Sequence, residues 1–407
     1  MEQTQFEVRT GAPEAPDLLP REEEPQQPED RTGGMKSAFN RTALGLGALY
    51  EIYQMIGSAL LALAAVVAAI VAIVPRIDSI HLDRFDVSAV LSLLNEAGVM
   101  YWILLAYAVG MVLGMVVGLI VMKLIRGKCE PIEKRSLSAS EFLLIALMTF
   151  GVWGLGAVLG NLPAFFGVNE SLGLDQLLEG STWESWPVYL YTCIGAPLFE
   201  ELACRKLLLD RLHPYGKGYA IAVSGLLFAL IHGNSAQFFL ALATGLILAA
   251  VYCRTGRVLY TILLHAMINT TASLPELLSL GNIDIDLGWN IVVGCLVVAG
   301  LVVLFLKRKD VKHVFAPSDV PGAHRAVWRN PGMLIFRIVG IATIVFTDAL
   351  MLFSSLQVNG TPLCLVRLLL TALAILTVLL APRLTRSLAP APVEATPAEP
   401  EPNPTGD

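Results

Sequence analysis

The sequence predicts an all-α protein: a polytopic bundle of about ten transmembrane helices. Of its 407 residues, 55% are apolar and only 15% are charged, whereas ordinary soluble domains carry about 25% charged residues. Apolar stretches also recur along the chain, each close to the roughly 20 helical residues that cross a hydrocarbon core. Lys and Arg are concentrated in alternate loops. We therefore expect a multi-pass protein of the cell membrane with the lipid bilayer as its solvent.

The apolar stretches can be taken in chain order. They centre near Ala64, Gly114, Phe150, Phe199, Gly225, Leu246, His265, Val298, Ile344 and Ala372. Short cytoplasmic loops are enriched in Lys and Arg, and the loops around 167–186, 274–287 and 355–362 contain neither residue. These loops are therefore predicted to lie outside. The alternation then predicts that both termini are cytoplasmic.

The order of these segments predicts five regions. They are a disordered acidic tail at 1–40, a transmembrane scaffold with spans 1–3 at 41–184, a core with spans 4–7 at 185–275, a second scaffold with spans 8–10 at 276–387, and a disordered Pro/Ala/Glu-rich tail at 388–407. Residues 1–34 hold nine acids and three bases, which accounts for the whole net charge of −6. The rest of the chain is balanced, so its charge gives no reason to expect a nucleic-acid partner.

The fourth stretch contains three ionisable residues, Glu200, Glu201 and Arg205. Each such residue at membrane depth costs roughly 2.5–3.5 kcal/mol on insertion scales and needs a reason. Residues four apart share a helix face, so Glu201 can pair with Arg205. Glu200 points about 100° away. The spacing predicts one neutralised carboxylate and one available carboxylate, although a surface salt bridge at a cytoplasmic helix end would give the same pattern.

The fifth and seventh stretches repeat this spacing with other polar side chains. Phe228 and His232 are four apart on the fifth, and His265 and Asn269 are four apart on the seventh. Taken singly, each pair could be a satisfied core residue or an interhelical hydrogen bond. At 1.5 Å per residue, however, Glu200, His232 and His265 all fall within a turn or two of mid-membrane. We therefore predict that they form one polar centre.

This set of side chains suits hydrolysis of a peptide bond. A carboxylate and a histidine can together deprotonate a water, and a second histidine with an amide can hydrogen-bond the oxyanion that forms on the attacked carbonyl. No covalent nucleophile is needed.

The motifs resemble those of the CPBP intramembrane endopeptidases, which include type II CAAX prenyl proteases and bacteriocin-processing and immunity proteins of the Abi-like type. The family motifs are two glutamates with an arginine four beyond the second, a phenylalanine with a histidine four later, and a histidine with an asparagine four later. The matching residues are Glu200, Glu201, Arg205, Phe228, His232, His265 and Asn269. The resemblance covers about residues 185–275.

The resemblance implies a function for each of these residues. Glu200 and His232 would activate the water, and His265 and Asn269 would stabilise the oxyanion. Glu201, Arg205 and Phe228 would organise the site. The implied substrate is a membrane-embedded or lipidated protein or peptide, and a prenylated CaaX protein, a bacteriocin precursor and a leftover signal peptide all remain open.

Two alternatives stay open. No cofactor is expected, but Glu200, His232 and His265 are also an acceptable ligand set for zinc, although no HExxH motif supports it. A non-catalytic membrane transporter or a bacteriocin-immunity scaffold could use the same polar centre for binding, because polar intramembrane clusters also mark ion pathways.

Three further ionisable residues lie in the last two stretches. Asp348 and Arg367 fall at similar depth near the outer ends of antiparallel neighbours, which predicts a structural ion pair. Arg337 lies near the inner end of its span and is expected to extend toward lipid phosphate groups.

Overall fold

The computed structural model describes residues 99–124, 131–160, 185–279, 285–315, 322–358 and 361–389, together with isolated positions at 60, 63–64, 66–67, 70–71, 317 and 320. Most of the predicted first span near Ala64 lies outside the described residues. The predicted tails at 1–40 and, from residue 390 onward, 388–407 also lie outside them.

Within the described residues all regular structure is helical, which confirms the predicted class. The helices are α1 (Met100–Leu124), α2 (Ala139–Gly160), α3 (residues 186–212, in several segments), α4 (Lys217–Leu230), α5 (Ser235–Thr255), α6 (Val258–Ser279), α7 (Asp286–Leu306), α8 (Arg308–Val314), α9 (Ala323–Trp328), α10 (Pro331–Val358) and α11 (Thr361–Leu384). Single 3₁₀ turns follow α3 and α11, at His213–Tyr215 and Arg386–Leu388.

Six of the described helices, α1, α2, α5, α7, α10 and α11, are long and apolar enough to cross a membrane. Three further predicted spans do not meet this criterion of length and apolar character, and their sequences show why. Helix α4 is apolar but has 14 residues, α3 is divided into short segments, and α6 contains His265, Asn269 and an internal Pro275. The count of about ten spans and the cytoplasmic location of both termini stay predictions.

Helix α2 shows how local sequence and packing combine. It begins with a capping box, in which the Glu141 backbone N–H donates to Ser138 Oγ at 3.2 Å and the Ser138 backbone N–H donates to Glu141 Oε2 at 3.0 Å. The helix then packs against α5 and α7. A Cβ placed on Gly151 would lie 2.6 Å from the backbone carbon of Gly300 on α7. Glycine is therefore what allows these two backbones to approach so closely.

Helices α4 and α5 form a hairpin whose ends are set by three residues. Gly233 has a φ of 65°, a left-handed conformation that stops α4. Asn234 then caps α5, because its Oδ1 accepts the Gln237 backbone N–H at 2.9 Å. Gly256, with a φ of 60°, ends α5. The turn between the helices carries His232.

The largest hydrophobic cluster surrounds this hairpin and draws side chains from α3, α4, α5, α9, α10 and α11. On α10 and α11, Arg367 Nη1 lies 3.5 Å from Asp348 Oδ1, so the predicted ion pair is present. The expectation for Arg337 was wrong. Its guanidinium is buried and donates from Nη2 to the Val378 carbonyl at 2.9 Å. A carbonyl on α11 thus provides inside the protein the acceptor that lipid phosphate was expected to provide.

Candidate active site

Helix α3, which carries both glutamates, has an alternating construction. Two π-helical segments, Tyr191–Gly195 and Leu202–Leu207, flank a short α-helical segment at Ala196–Glu201. Such π segments are rare and are found frequently at functional sites. Glu200 and Glu201 are the last two residues of the α-helical segment between them.

Glu201 lies at the centre of a buried hydrogen-bonded group. Its Oε2 is 3.0 Å from Arg205 Nε, and both side chains are fully buried. The predicted four-residue pair is therefore present. Its other oxygen, Oε1, is 3.0 Å from His265 Nδ1 on α6, a contact that the sequence did not predict. Since only a ring N–H can donate to a carboxylate oxygen, Nδ1 of His265 carries a proton. Its Nε2 is then the nitrogen left for chemistry.

Arg205 has two further contacts, both with α4. Its Nη1 donates to Ser224 Oγ at 3.3 Å, and Ser224 in turn donates to the Cys204 carbonyl at 3.0 Å. The guanidinium carbon lies 4.7 Å from the centre of the Phe228 ring, in a cation–π contact. Arg205 is thus held from two sides, and the Glu201 carboxylate is held with it.

The Phe228 ring brings the two histidines to the same place. Its centre lies 5.0 Å from the His232 ring and 5.7 Å from the His265 ring, both in edge-on geometry. The Phe228 carbonyl lies 2.7 Å from His232 Nδ1. A carbonyl can only accept, so Nδ1 of His232 is the protonated nitrogen. Its Nε2 therefore presents a lone pair.

Glu200 differs from Glu201 in its burial and in its contacts. It is half-buried, and within the described part of the chain no hydrogen bond or ion pair involves its carboxylate. Its carboxylate lies within electrostatic range of the His232 ring. The structure thus separates an ion-paired Glu201 from a Glu200 carboxylate that has no such partner among the described residues.

Asn269 has a contact that the sequence did not predict. Its Nδ2 donates to the backbone carbonyl of Thr192 on α3 at 2.9 Å. A primary amide has two N–H donors, so one is engaged with α3 and one remains for another acceptor. His265 and Asn269 therefore attach one face of α6 to α3 at two points.

The turn with His232 is held from outside the motif region. Asp348 Oδ1, on α10, accepts the backbone N–H of Ser235 at 3.2 Å, and its Oδ2 accepts the Thr371 hydroxyl at 2.5 Å. Ser235 is the first residue of α5 and stands three positions after His232. Asp348 thus caps α5 in addition to pairing with Arg367.

The structure brings Glu201, Arg205, Phe228, His232 and His265 into contact. Sequence reasoning missed two polar side chains that complete the set, Ser224 beside Arg205 and Thr261 beside Glu201. Both could have been found from their spacing, because Ser224 precedes Phe228 by four residues and Thr261 precedes His265 by four.

A metal was one of the alternatives for this site. Among the described residues, no group of three or more His, Cys, Asp or Glu side chains is arranged to hold a metal ion.

The fold and the site together define a helical membrane protein with a buried centre of glutamate, arginine and histidine side chains. Residues 182–271 match the family described as type II CAAX prenyl endopeptidase, Rce1-like. The match confirms the family resemblance and supports a multi-pass membrane protease that acts on a substrate in the bilayer. No curated protein and no solved structure matches the chain.

Proposed function

We propose that this protein is an intramembrane endopeptidase of the glutamic type, which hydrolyses a peptide bond of a membrane-associated protein or peptide. The observation that supports this most is the division between the two adjacent glutamates. Glu201 is neutralised by Arg205 and hydrogen-bonded to His265, while the half-buried Glu200 carboxylate has no hydrogen bond or ion pair within the described residues. An unpaired carboxylate at this depth is costly, and a general base is the simplest reason for it.

Glu200 and His232 form the water-activating pair in this proposal. The Nδ1–H of His232 is engaged with the Phe228 carbonyl, so the Nε2 lone pair is fixed in one direction. A water held between this nitrogen and the Glu200 carboxylate can lose a proton to either group as its oxygen attacks the carbonyl carbon. General-base assistance of this kind contributes roughly 10²–10⁴-fold to the rate.

His265 and Asn269 form the oxyanion site. Glu201 accepts the Nδ1–H of His265, and this hydrogen bond fixes the orientation of the ring. With a proton on Nε2 as well, the ring donates from that nitrogen to the negative oxygen of the tetrahedral intermediate. The second N–H of the Asn269 amide is the other donor, since the first is engaged with Thr192. Removal of one such donor costs roughly 10²–10³-fold in kcat.

Proton transfer closes the cycle without a cofactor. The proton taken from water by Glu200 and His232 is returned to the nitrogen of the departing amine as the carbon–nitrogen bond breaks. The second proton of the water passes from the new carboxyl group to the amine, so the products are a carboxylate and an ammonium group, and both catalytic groups regain their starting protonation states. His265 keeps its proton throughout, because it stabilises charge and does not transfer a proton.

The substrate class rests on the family match, which fits a substrate held in the bilayer. Both histidines and Glu201 are buried or half-buried among helices, so the scissile bond has to pass between helices to reach them. A peptide anchored by a lipid group or by its own apolar segment satisfies this requirement. A prenylated CaaX terminus is the first candidate, with bacteriocin precursors and leftover signal peptides as the others.

The test uses the full-length protein in lipid nanodiscs with three internally quenched peptides. One is farnesylated and ends in a CaaX sequence, one is the same peptide without the lipid, and one is an apolar signal-type peptide. We expect hydrolysis of at least one, with the cleaved bond identified by mass spectrometry. Glu200→Gln should abolish it while folding is retained, and Glu133→Gln, an exposed residue outside the site, serves as the matched control.

Two outcomes would contradict the proposal. Glu200→Gln with undiminished hydrolysis would remove Glu200 from the chemistry. A wild-type protein that binds the peptides but releases no product would favour the transporter or immunity-scaffold alternative.

A further inference from the structure

The π-helical segment Tyr191–Gly195 leaves one backbone carbonyl of α3 without its normal donor. The Ala196 backbone N–H, which in an α-helix would donate to the Thr192 carbonyl, donates instead to Tyr191, five residues back. The next residue is Pro197, which has no N–H. Thr192 therefore cannot be satisfied by either of these two positions in its own helix.

Asn269 supplies the missing donor from α6. Its Nδ2 lies 2.9 Å from the Thr192 carbonyl oxygen, and we call this hydrogen bond the bulge contact. A backbone carbonyl inside a helical bundle that lacks a donor is costly, because buried backbone acceptors are almost always paired. Pro197 and Asn269 thus have complementary effects: the proline provides no N–H for the Thr192 carbonyl, and the Asn269 amide donates to it instead.

The bulge contact has a geometric effect on the glutamates that follow. A π segment adds one residue to a helical turn, which rotates everything after it by about 100°. Glu201 is directed at His265 on α6 in this rotation. Without the extra residue, Glu200 would occupy the direction that Glu201 now occupies.

We propose that Pro197, the Thr192 carbonyl and the Asn269 amide together set the rotation of the Ala196–Glu201 segment, and so determine which of the two glutamates is directed at His265 on α6. Pro197 is a positioning residue in this proposal and makes no contact with substrate. Asn269 stabilises the bulge through this hydrogen bond in addition to its proposed contact with the oxyanion. The catalytic consequence of the bulge contact rests on the proposed protease function, whereas the contact itself does not.

A double-mutant cycle on thermal unfolding tests the contact without any use of activity. Asn269→Leu in the wild-type background leaves the Thr192 carbonyl unsatisfied, and the expected fall in Tm is roughly 2–4 °C. In Pro197→Ala, the segment can return to the α-helical register, in which the Ala196 N–H donates to Thr192 and the new N–H at position 197 donates to Cys193. Asn269→Leu should then lower Tm by less than half as much. Thr270→Ala, at an exposed neighbour on α6, is the matched control and should leave Tm unchanged in both backgrounds.

Hydrolysis kinetics of Pro197→Ala then test the rotation. We expect kcat to fall by roughly 10–100-fold, because a misplaced catalytic group loses rate steeply, while KM stays within about twofold. A purely structural role would lower the yield of folded protein and leave kcat per folded molecule unchanged.

The two proposals can fail separately. Equal Tm losses for Asn269→Leu in both backgrounds would overturn the bulge contact even in an active protease. If Asn269→Leu lowers Tm less in the Pro197→Ala background but kcat of Pro197→Ala is unchanged, the effect of Pro197 on the glutamates is overturned. If the same difference in Tm loss is found in a protein that hydrolyses none of the peptides, the bulge contact stands and the protease function is rejected.

Discussion

Glu201 and His265 share a hydrogen bond of 3.0 Å between Oε1 and Nδ1, although 64 residues separate them in the chain. The same carboxylate also neutralises Arg205. One buried side chain therefore fixes a cation on its own helix and a histidine on another. The adjacent Glu200 has no such partner within the described residues. Substitution by glutamine should therefore lower the stability of the protein at position 201 and leave it unchanged at position 200.

The first prediction concerns this difference in stability. Glu201→Gln leaves Arg205 as a buried cation without its counter-charge, a change that typically costs about 3–5 kcal/mol. Glu200→Gln breaks no ion pair and should leave stability within about 0.5 kcal/mol. Thermal unfolding in detergent, followed by tryptophan fluorescence, measures both. Glu201→Gln combined with Arg205→Met should recover most of the loss. Equal Tm values for the two single variants would contradict the assignment.

The second prediction separates the two ring nitrogens of each histidine. Asparagine reproduces the Nδ1–H donor but has nothing at the Nε2 position. His232→Asn should still donate to the Phe228 carbonyl, and His265→Asn should still donate to Glu201. Both variants are therefore expected to fold and to lose hydrolysis by roughly 10²–10⁴-fold. His324→Gln, which preserves the donor to the Pro382 carbonyl outside the site, is the control. An active His232→Asn enzyme would exclude Nε2 as a base.

The third prediction addresses the metal alternative. If water is activated by Glu200 and His232 alone, prolonged treatment with a strong chelator should leave kcat unchanged. Elemental analysis of the purified protein should then find no stoichiometric metal. Loss of activity that zinc restores would contradict this. It would instead assign Glu200, His232 and His265 as ligands, since neutral imidazole nitrogens and a carboxylate are normal zinc donors.

The fourth prediction concerns the packing of α2 on α7. A methyl group at Gly300 would overlap the Leu147 carbonyl oxygen and the Gly151 backbone, neither of which can move without the helix. Gly300→Ala should therefore lower Tm by several degrees, at roughly 2–4 °C for each kcal/mol lost. Gly294→Ala, on the same helix with nothing within 4 Å of the added methyl, should be neutral or slightly stabilising. Equal effects would indicate that helix propensity, and not close approach, determines the result.

Much of the site could be predicted because it repeats one spacing on three helices. Residues four apart share a face, and this rule relates Glu201 to Arg205, Phe228 to His232, and His265 to Asn269. The same rule also applies to two polar residues outside the motifs. Ser224 and Thr261 are each four residues before a motif residue and complete the same faces. An ion pair between Asp348 and Arg367 followed from matching depth on antiparallel neighbours.

Other features could not be predicted because they depend on how helices rotate against one another. The Glu201–His265 hydrogen bond requires one face of α3 to meet one face of α6, and a single sequence does not determine how the two helices are rotated against each other. The bulge contact requires a π segment, which hydrophobic periodicity does not predict, although Pro197 can be read from the sequence. Arg337 was misassigned for a related reason, since the acceptor at Val378 is a backbone atom and leaves no trace in the sequence.

The capping of α5 by Asp348 has a consequence for how this protein can be divided. Every motif residue falls between 182 and 271, yet the helix that follows His232 begins on a carboxylate supplied by α10. A fragment cut at the borders of the matched segment would keep all the chemical groups and lose the support for one of them. The segment that the family match covers is therefore smaller than the part of the chain that has to fold together, and chimeras should be joined beyond α11 instead of at residue 271.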